Sequence, residues 1–590
     1  MKGFQIFRRA STAIRNRATP SKLLIVLTFG AAGGAFLAIS DDSPFRSLTA
    51  GESGNDGGKK KKLVVLGTGW GGTTFLKNLK TSAYDVHVVS PHNYFTFTPL
   101  LPSVTNGTVE ARSIVEPIRN IVRNKPYNVE FKEAECYRID PVNKKVYCRS
   151  IQNLGHGENE FALDYDVLVI AMGARVNTFN TPGVEEHAHF LKEVDDAQKL
   201  RRSIIDCYER ASLPTISEEE KKRIMHFVVV GGGPTGVEYA AELHDFASQD
   251  LASLYPSLKD YLKITLLEAG NHILPMFHKK VTDFANEKFQ KDQIDVKTGS
   301  MVVKVSDKDI STKNRATGQI EAIPYGVVLW STGIATRPVI AEFMEKIGQA
   351  GRRVMAIDEW LKVQGCDDVY ALGDCASIAQ RKALEDAAAI MKTVDKNNAG
   401  AVDVGDFKEF VKDIYERYPQ VRKYLEKNKL KNFEALLRNA QGDSQKKIDI
   451  EALKKALSEV DSQVSFLPPT AQVASQQGKY LAACFNKAGR CEKKPEGPFR
   501  FQENAGRYPF HPFRYTIENP FLFTALLLFT FLVIELTGLS ICLVGAGVIS
   551  YKHSGQFAPL GGEQAAVQFP GDWVSIGHAS QGLWYTVYAR

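Results

Sequence analysis

The sequence has few cysteines, and none of them is spaced for redox or metal chemistry. Its 590 residues include eight cysteines, which are scattered without a C-x-x-C pair or a cluster with the spacing of zinc ligands. This distribution suits reduced structural thiols and gives no support to a redox disulfide.

Strong charge of one sign is also missing. The formal net charge is +7, and 44% of the residues are hydrophobic and 24% charged. No basic stripe with interleaved aromatic residues is present, so nucleic-acid binding is not predicted. The composition is that of a globular protein, and the length allows about three or four domains.

Acidic residues are absent from the first 40 positions. The basic residues there stand among Ser and Thr: Lys2, Arg8, Arg9, Arg15, Arg17 and Lys22. Such a start is typical of mitochondrial transit peptides. Residues 23–40 form an uncharged run at the lower limit for spanning a bilayer. A secretory signal peptide is the competing interpretation, but the basic region is long for one. We predict mitochondrial import with a sorting or anchoring segment, followed by a polar linker over 41–62.

The main feature of the chain is a glycine-rich loop in KLVVLGTGWGG, residues 62–72. Four apolar residues predict a buried parallel strand, and Gly67, Gly69 and Gly72 follow at the start of a helix. The first glycine turns the chain, the second lets backbone N–H groups reach a pyrophosphate, and the third lets the helix pack on the strand. The next predicted strand ends in Ser90, where an acid usually binds a ribose, so this loop alone does not specify NAD.

The same pattern recurs in HFVVVGGGPTGVEYAAE, residues 226–242. The repeated glycines are Gly231, Gly233 and Gly236. The following strand, KITLLE, ends in Glu268, further from the loop than the usual separation of roughly twenty residues. The excess fits a long helix that continues through 250–261. A carboxylate at Glu268 can accept both ribose hydroxyls of NADH and would repel the 2′-phosphate of NADPH.

The sequence DKNNAGAVDVGD, residues 395–406, can be aligned with a calcium-binding loop and lies within a stretch of predicted charged helices. The ligand positions are Asp395, Asn397, Asp403 and Asp406. Position five is Ala399, and Asp406 is shorter than the bidentate Glu expected at position twelve, so calcium affinity should fall or vanish. Calcium binding and a plain helix pair both stay open for this segment. Residues 443–461 are either the remnant of a partner hand or, as we favour, plain helices.

Several runs taken together resemble the type II NADH dehydrogenases, which are alternative NADH:ubiquinone oxidoreductases. The similarity is closest to the plant external mitochondrial subgroup, which carries a calcium-hand insertion. The matching runs cover most of residues 62–585: VVLGTGWGGTTFLKNL, NYFTFTPLLPSVTNGTVEARSIVEPIR, AMGARVNTFNTPGV, FVVVGGGPTGVEYAAELHD, WSTGI, YALGDCA, AQVASQQG and FAPLGGEQ.

This resemblance implies FAD in the first Rossmann domain and NADH in the second. The implied FAD-binding residues are Gly67, Thr68, Gly69, Gly72, Ser90, Thr98, Gly373 and Asp374, with residues 98–101 near the ring. Ser90 in place of an acid is usual in the family. The implied NADH-binding residues are Gly231, Gly233, Gly236, Glu268 and Gly333.

The resemblance also implies a reaction and its partners. Ala471, Gln472 and Gln476 match the quinone-site motif, and Glu238 matches a glutamate near flavin and nicotinamide, so Glu238, Gln472 and Gln476 are the catalytic candidates. NADH would give a hydride to flavin N5, and two electrons would pass to ubiquinone without proton pumping. The implied setting is a homodimer, peripheral on the intermembrane-space side of the inner mitochondrial membrane.

The predicted fold is α/β, with two Rossmann-like domains of the two-dinucleotide-binding flavoprotein type, a helical EF-hand-like insertion and a membrane-associated C-terminal region. Residues 1–61 are the targeting segment and linker. The remaining predicted parts are 62–223 and 336–385 (FAD domain), 224–335 (NADH domain), 386–462 (EF-hand-like insertion), 463–514 (return to the FAD domain with the quinone motif), 515–550 (hydrophobic insert) and 551–590 (C-terminal region).

Two features at the C-terminus depart from the family pattern. Residues 515–550 interrupt the pattern and contain an apolar stretch with one charge, Glu535. This stretch is long enough to span a membrane, but one crossing would put the family fold on both faces. The chain also ends at Arg590, before the amphipathic tail that related chains carry, so the insert is either a replacement anchor or an extra segment. These departures keep two alternatives open: a poorly active flavoprotein acting as a calcium-responsive binding module, and a flavin reductase with a soluble acceptor. The retained AQVASQQG favours quinone.

If the insert is an extra segment, such as translated intron sequence, the native protein should contain Arg514 joined directly to Tyr551. Mass spectrometry of the native protein after cleavage at glutamate should then find one peptide from Asn504 to Glu563 that lacks residues 515–550. Detection only of peptides from inside the insert would contradict this hypothesis.

Overall fold

The computed structural model describes most of the chain from Lys60 onward. The described residues are 60–123, 125, 129–152, 159–358, 360–378, 382–395, 401–403, 407, 410–411, 414–415, 418–441, 447–462, 468–488, 556–562, 564–569, 573–577 and 580. The targeting segment before residue 60 and the insert at 515–550 lie outside this part. Among the described residues, no helix is both long and apolar enough to cross a membrane.

The strands and α-helices are numbered in chain order. The strands are β1 Lys61–Leu66, β2 Tyr84–Ser90, β3 Tyr94–Thr96, β4 Val115–Pro117, β5 Val129–Asp140, β6 Lys145–Ser150, β7 Glu160–Asp164, β8 Val167–Ile170, β9 Arg175–Val176, β10 His226–Val230, β11 Lys263–Leu267, β12 Ile294–Lys297, β13 Ser300–Val305, β14 Asp309–Asn314, β15 Ile320–Pro324, β16 Val327–Trp330, β17 Ile334–Ala335, β18 Met355–Ile357, β19 Val369–Ala371, β20 Ala376–Ile378, β21 Ala401–Asp403, β22 Lys447–Asp449, β23 Gln556–Pro559, β24 Ala565–Phe569 and β25 Trp573–Gly577. The helices are α1 Trp70–Asn78, α2 Leu101–Asn106, α3 Ile118–Val122, α4 Val184–His187, α5 Val194–Ala211, α6 Glu218–Ile224, α7 Pro234–Asp245, α8 Ala252–Leu254, α9 Lys279–Lys291, α10 Pro338–Lys346, α11 Ala387–Val394, α12 Pro419–Lys427, α13 Phe433–Gln441, α14 Ile450–Ser462 and α15 Ala471–Ala488.

The first sheet is built around the apolar strand that precedes the first glycine loop. Its strand order is β19-β8-β1-β2-β5-β6-β7. The pairs from β19 to β5 are parallel, and β5, β6 and β7 are antiparallel. The side chains from Leu63 to Leu66 are 0% exposed, as expected for a central parallel strand that is covered on both faces. The α/β class predicted from the sequence is therefore confirmed.

The second sheet repeats this arrangement around β10, in the order β12-β11-β10-β16. Its pairs are all parallel, and all five residues of β10 are buried. An antiparallel sheet of β13, β14 and β15 follows β12 in the chain. In both parallel sheets the glycine loop leaves the carboxyl end of an interior strand, which is where α/β proteins bind ligands.

The segment between α7 and β11 is not the continuous α-helix that the spacing predicts. A π-helix at Phe246–Leu251 follows α7, and the short α8 and a 3₁₀ helix at Pro256–Tyr261 complete the connection. The extra length before Glu268 is thus helical but broken, and Pro256 begins the tighter 3₁₀ turns because proline is tolerated at a first helical turn.

The two sheets are linked by the segments that leave β8 and β16. The exit from β8 contains β9, the exit from β16 contains β17, and the two pair antiparallel, with Ile334 opposite Val176. The Arg337 Nε–H donates to the Met172 carbonyl at 2.8 Å. The chain then returns to the first sheet through β19.

Residues 383–460 contribute to a hydrophobic core of their own. This core includes Phe433, Leu437 and Leu453 from the helices α13 and α14, together with Phe407. A short antiparallel ribbon pairs β21 with β22, so residues 401–403 of the candidate calcium loop lie beside 447–449. Asn397 and Asp406 lie outside the described residues.

The buried His226 should make the second sheet sensitive to acid. Its side chain is 4% exposed, and its Nε2 lies 2.8 Å from the Thr265 Oγ1. Burial, followed by the charge of Lys263, lowers the pKa of His226 from 6.5 to about 4. Unfolded chains therefore bind a proton more readily than folded ones, and the stabilisation by neutral His226 is lost as the pH falls from about 6.5 toward 4.

Between pH 7 and pH 5 this effect should cost about 2 kcal/mol. His226→Gln keeps an amide for the Thr265 hydroxyl but cannot titrate. The drop in the urea unfolding midpoint from pH 7 to pH 5 should therefore be smaller in the variant than in the unchanged protein. An equal drop in both would show that His226 does not cause the acid sensitivity.

Candidate functional site

The three glycines of the first loop are required for different structural reasons. Gly67 has φ +97°, and its N–H donates to the Val89 carbonyl at 2.8 Å. A Cβ on Gly72 would overlap the Gly67 carbonyl oxygen, whereas a Cβ on Gly69 would meet no atom within 4 Å. The first and third glycines thus close the turn between β1 and α1, and the second faces open space.

The second glycine loop has the same geometry. Gly231 has φ +112°, and a Cβ on Gly236 would overlap the Gly231 carbonyl oxygen. A Cβ on Gly233 would again meet nothing within 4 Å. The Ser331 hydroxyl, from the exit of β16, donates to the Val230 carbonyl at 2.9 Å beside this loop.

These two loops fit the diphosphate of a dinucleotide. Each has an unobstructed second glycine at the N-terminus of a helix, where backbone N–H groups and the helix dipole attract an anion. The open space at Gly69 and Gly233 is what a closely approaching pyrophosphate requires. The structure therefore offers two separate sites for dinucleotides, one on each sheet.

Ser90, the last residue of β2, and two threonines near the first loop hold that loop from within the protein. The Ser90 side chain is 4% exposed, and its Oγ accepts from the Thr68 hydroxyl at 2.8 Å. The Thr73 hydroxyl donates to the Thr68 carbonyl at 2.8 Å. Thr68 and Ser90, both predicted to bind FAD, thus hydrogen-bond to one another and hold the loop in shape.

Trp70, inside the first glycine loop, anchors the segment that follows β2. Its indole Nε1–H donates to the Thr98 Oγ1 at 3.0 Å. Its ring packs edge-on against Phe95 and at a tilt against Phe97, with centroids 5.1 and 5.3 Å away. Thr98 is thereby held next to the loop, as its predicted place near a flavin requires. Sequence analysis missed the part played by Trp70, although a tryptophan within a glycine fingerprint was a visible signal.

The helix that carries the predicted quinone motif packs on the helix of the first glycine loop. A Cβ on Gly478 of α15 would overlap the Gly71 carbonyl oxygen of α1, so the two backbones touch where they cross. The hydroxyls of Thr74 and Ser475 lie 3.1 Å apart at the same crossing. The N-terminal part of α15 is therefore held against the first site.

Gln477 connects this helix to the segment that holds Asp374. Its side chain is 2% exposed, and its Oε1 accepts from the Gly373 N–H at 2.8 Å. Gly373 has φ +75°, and burial raises the pKa of the following Asp374 carboxyl while Lys192 opposes the shift. Sequence analysis selected Gln472 and Gln476 and missed Gln477. Ala471, Gln472 and Gln476 lie partly exposed in the first turns of α15.

Glu268 lies at the end of β11, as predicted, and is tied to the second glycine loop. Its Oε2 accepts from the Gly232 N–H at 2.6 Å, and its Oε1 accepts from the Gly270 N–H at 2.5 Å. Each carboxylate oxygen has a further lone pair. Glu268 therefore orients the loop and still presents acceptors for hydroxyl groups.

Glu238 and Glu242 lie one turn apart on α7, where this helix meets α2. The Asn106 Nδ2 donates to the Glu242 Oε2 at 2.6 Å, and the Ser103 hydroxyl donates to the Glu242 Oε1 at 3.3 Å. Burial, followed by the neighbouring Glu242 carboxyl, raises the pKa of Glu238 well above its usual value. Burial also raises the pKa of Glu242. The second loop's helix thus brings two carboxyls with raised pKa values to the helix that follows Thr98.

The candidate calcium ligands are only partly described. Asp395 ends α11, where its N–H donates to the Met391 carbonyl at 2.8 Å, and Asp403 ends β21. In the part of the chain that the structure describes, no group of three or more His, Cys, Asp or Glu side chains is placed to hold a metal ion.

Comparison with known proteins gives consistent results. A sequence model of the family described as pyridine nucleotide-disulphide oxidoreductase matches residues 61–395. The chain is 56% identical over 594 residues to the mitochondrial external alternative NAD(P)H-ubiquinone oxidoreductase B4 of Arabidopsis thaliana, covering 100% of this chain and 95% of that protein. It is 50% identical over 590 residues to the B1 protein of Solanum tuberosum, with the same coverage. The structure of NDH2 from Plasmodium falciparum in complex with NADH matches with a TM-score of 0.69 at 30% identity, over 90% of this chain and 94% of that chain.

The open glycines give a test that separates folding from binding. Gly233→Ala should leave folding and flavin content unchanged, because its Cβ meets no protein atom, but should weaken dinucleotide binding at the second loop by about tenfold or more. Calorimetric titration with NAD⁺ would measure this change. Gly69→Ala is the matched variant of the first loop and should lower flavin content instead. Unchanged NAD⁺ affinity in Gly233→Ala would contradict the assignment of the second loop.

Proposed function

This chain belongs to the pyridine nucleotide-disulphide oxidoreductase family and, within it, to the external alternative NAD(P)H-ubiquinone oxidoreductases of mitochondria, and from this premise we propose how its residues divide the reaction. The protein is an enzyme that oxidises NADH and passes the electrons through a flavin to ubiquinone. The observation that carries the assignment of sites is the presence of two unobstructed glycine loops, with the quinone-motif helix packed on the first.

The first site would hold FAD. The pyrophosphate of FAD would lie on Gly67, Gly69 and Gly72. The partly buried Asp374 carboxylate would accept hydrogen bonds from hydroxyl groups of the FAD side chain. Thr98, held by Trp70, would lie near the ring. When bound, FAD supplies the acceptor for a hydride and the donor of two electrons. The chain would supply the position of the flavin between its two reaction partners.

The second site would hold NADH. Its pyrophosphate would lie on Gly231, Gly233 and Gly236, and Glu268 would accept the ribose hydroxyls of the adenosine half. The carboxylate would disfavour a 2′-phosphate at the same place, because two negative charges would then be close together in a partly buried site. This arrangement favours NADH over NADPH.

Ubiquinone would bind at the start of α15, with Ala471, Gln472 and Gln476 as contacts. This placement is supported by the packing of α15 on α1 and by the hydrogen bond between Gln477 and Gly373. Amide side chains can donate to the quinone carbonyl oxygens, on which negative charge develops during reduction. Gln477 would act as a positioning residue that keeps this helix against the flavin segment.

Glu238 would hold a proton near the junction of the two sites. Reduction of ubiquinone takes up two electrons and two protons, and NADH delivers only one hydrogen as hydride. One proton must therefore come from the protein or from solvent. Burial and the neighbouring Glu242 carboxyl raise the pKa of Glu238 well above its usual value, which favours the protonated form that could deliver that proton.

We place the enzyme in mitochondria, peripheral on the intermembrane-space side of the inner membrane, on the basis of its N-terminal sequence and its relatives.

The homodimer remains a prediction that light scattering on the full chain would test. Calcium modulation also remains a prediction, which NADH oxidation with added calcium or chelator would test. For calcium, support is limited to the sequence of 395–406 and the pairing of β21 with β22.

The assignment of sites is tested by steady-state turnover of the purified, flavin-loaded full chain. NADH oxidation should depend on added short-chain ubiquinone and should proceed faster than NADPH oxidation. Gln472→Ala combined with Gln476→Ala should lower ubiquinone-dependent turnover and leave reduction of a small soluble acceptor unchanged. Equal turnover of ubiquinone in the double variant would contradict the quinone site.

The role of Glu238 has its own signature in the pH profile. Turnover with ubiquinone should fall as the pH rises through the raised pKa of Glu238, because the proton donor is then lost. Glu238→Gln, which cannot titrate, should be slower by about 10²-fold and should lose this alkaline fall. Glu219→Gln, an exposed position on α6, is the matched control. An unchanged profile in Glu238→Gln would show that this carboxyl does not deliver the proton.

A further inference from the structure

Phe179 is a large apolar side chain that is left exposed beside the second site. It lies in the segment between β9 and α4 and is 58% exposed. Single exposed apolar residues are common on protein surfaces and by themselves indicate nothing. Two further observations distinguish this ring from an incidental one.

The first observation is the backbone conformation. Phe179 has φ +52° and the next residue, Asn180, has φ +54°. A bulky residue in the left-handed region is uncommon and is strained unless its surroundings hold it there. The Phe179 N–H donates to the Asn177 Oδ1 at 2.9 Å, and the Asn177 carbonyl accepts from the Trp330 Nε1–H at 2.9 Å. The turn is therefore fastened to the last residue of β16.

The second observation is the position of the Phe179 ring. A Cβ on Gly333 would lie 2.7 Å from the Phe179 Cζ and 3.0 Å from its Cε2. Gly333 itself has φ +70°. The ring thus rests on the exit segment of β16 at a place that only glycine leaves free. A chain segment from the first half of the protein delivers an aromatic ring to the carboxyl edge of the second sheet.

The order of strands in the second sheet indicates which part of a bound NADH would lie near the Phe179 ring. The second sheet runs β12-β11-β10-β16, so the glycine loop after β10 lies between Glu268, after β11, and Gly333, after β16. A dinucleotide whose pyrophosphate lies on the central loop extends to both sides of it. With the adenosine ribose at Glu268, the nicotinamide riboside lies on the side of Gly333 and Phe179.

We propose that Phe179 is a contact residue for the nicotinamide of NADH, its ring packing against the nicotinamide ring on the exit segment of β16. This proposal rests on the binding of NADH at the second site. An aromatic ring that is preset by its backbone loses little conformational freedom on binding, and it offers a flat apolar surface to a flat ligand ring. Phe179 would then favour ligands that carry the nicotinamide over those that lack it.

The test compares two ligands that differ by the nicotinamide ring. The flavin-loaded full chain is titrated calorimetrically with NAD⁺ and with ADP-ribose, which lacks nicotinamide. Phe179→Asn removes the ring and tolerates the left-handed backbone, since asparagine adopts it readily. It should weaken NAD⁺ binding by about five- to tenfold and leave ADP-ribose affinity unchanged. Phe179→Tyr keeps the ring and should bind both ligands like the unchanged protein.

Ile320→Asn is the matched control, since Ile320 is 64% exposed and lies on β15. It should alter neither affinity. Unchanged NAD⁺ affinity in Phe179→Asn, or an equal loss for both ligands, would overturn the proposal. Failure of the unchanged protein to bind either ligand would instead contradict NADH binding at the second site, so the two failures are distinguishable.

Discussion

The close approach of a helix to a strand at the two glycine loops is the constraint on which the rest of the structure depends. At each loop the third glycine lies against the carbonyl of the first, and any side chain there would overlap it. This contact aims the N-termini of α1 and α7 at open space beside the second glycine. Because each loop leaves an interior strand of its sheet, both anion sites stand on rigid elements rather than on mobile loops.

From this contact the rest of the site follows in order. The position of α1 determines that of α15, because Gly71 and Gly478 allow their backbones to touch. The position of α15 lets Gln477 hold the Gly373 N–H, which joins the quinone motif to the flavin segment. The position of α7 brings Glu238 and Glu242 to α2, which follows Thr98. The proposed donor, carrier and acceptor sites are therefore connected through packed helices.

Features encoded by short local patterns could be predicted from the sequence, and features made by distant residues could not. The glycine loops, their strands and Glu268 depend on neighbours in sequence, and their positions are found as expected. Gln477 contacts Gly373 and Phe179 contacts Gly333, and these partners are far apart in the sequence, so neither contact has a local signal. The spacing before Glu268 predicts one long helix after α7, whereas the connection contains a π-helix, a short α-helix and a 3₁₀ helix that begins at Pro256. Ser90 was predicted to bind the cofactor, and its hydroxyl is used within the protein by Thr68.

The central claim is that electrons enter from NADH at the second loop and leave to ubiquinone beside α15, with a flavin between. Anaerobic spectroscopy of the purified full chain tests it most directly. NADH should bleach the flavin absorbance, and subsequent addition of short-chain ubiquinone should restore it. A flavin that NADH does not bleach, or that a soluble acceptor restores and ubiquinone does not, would contradict this path of electrons.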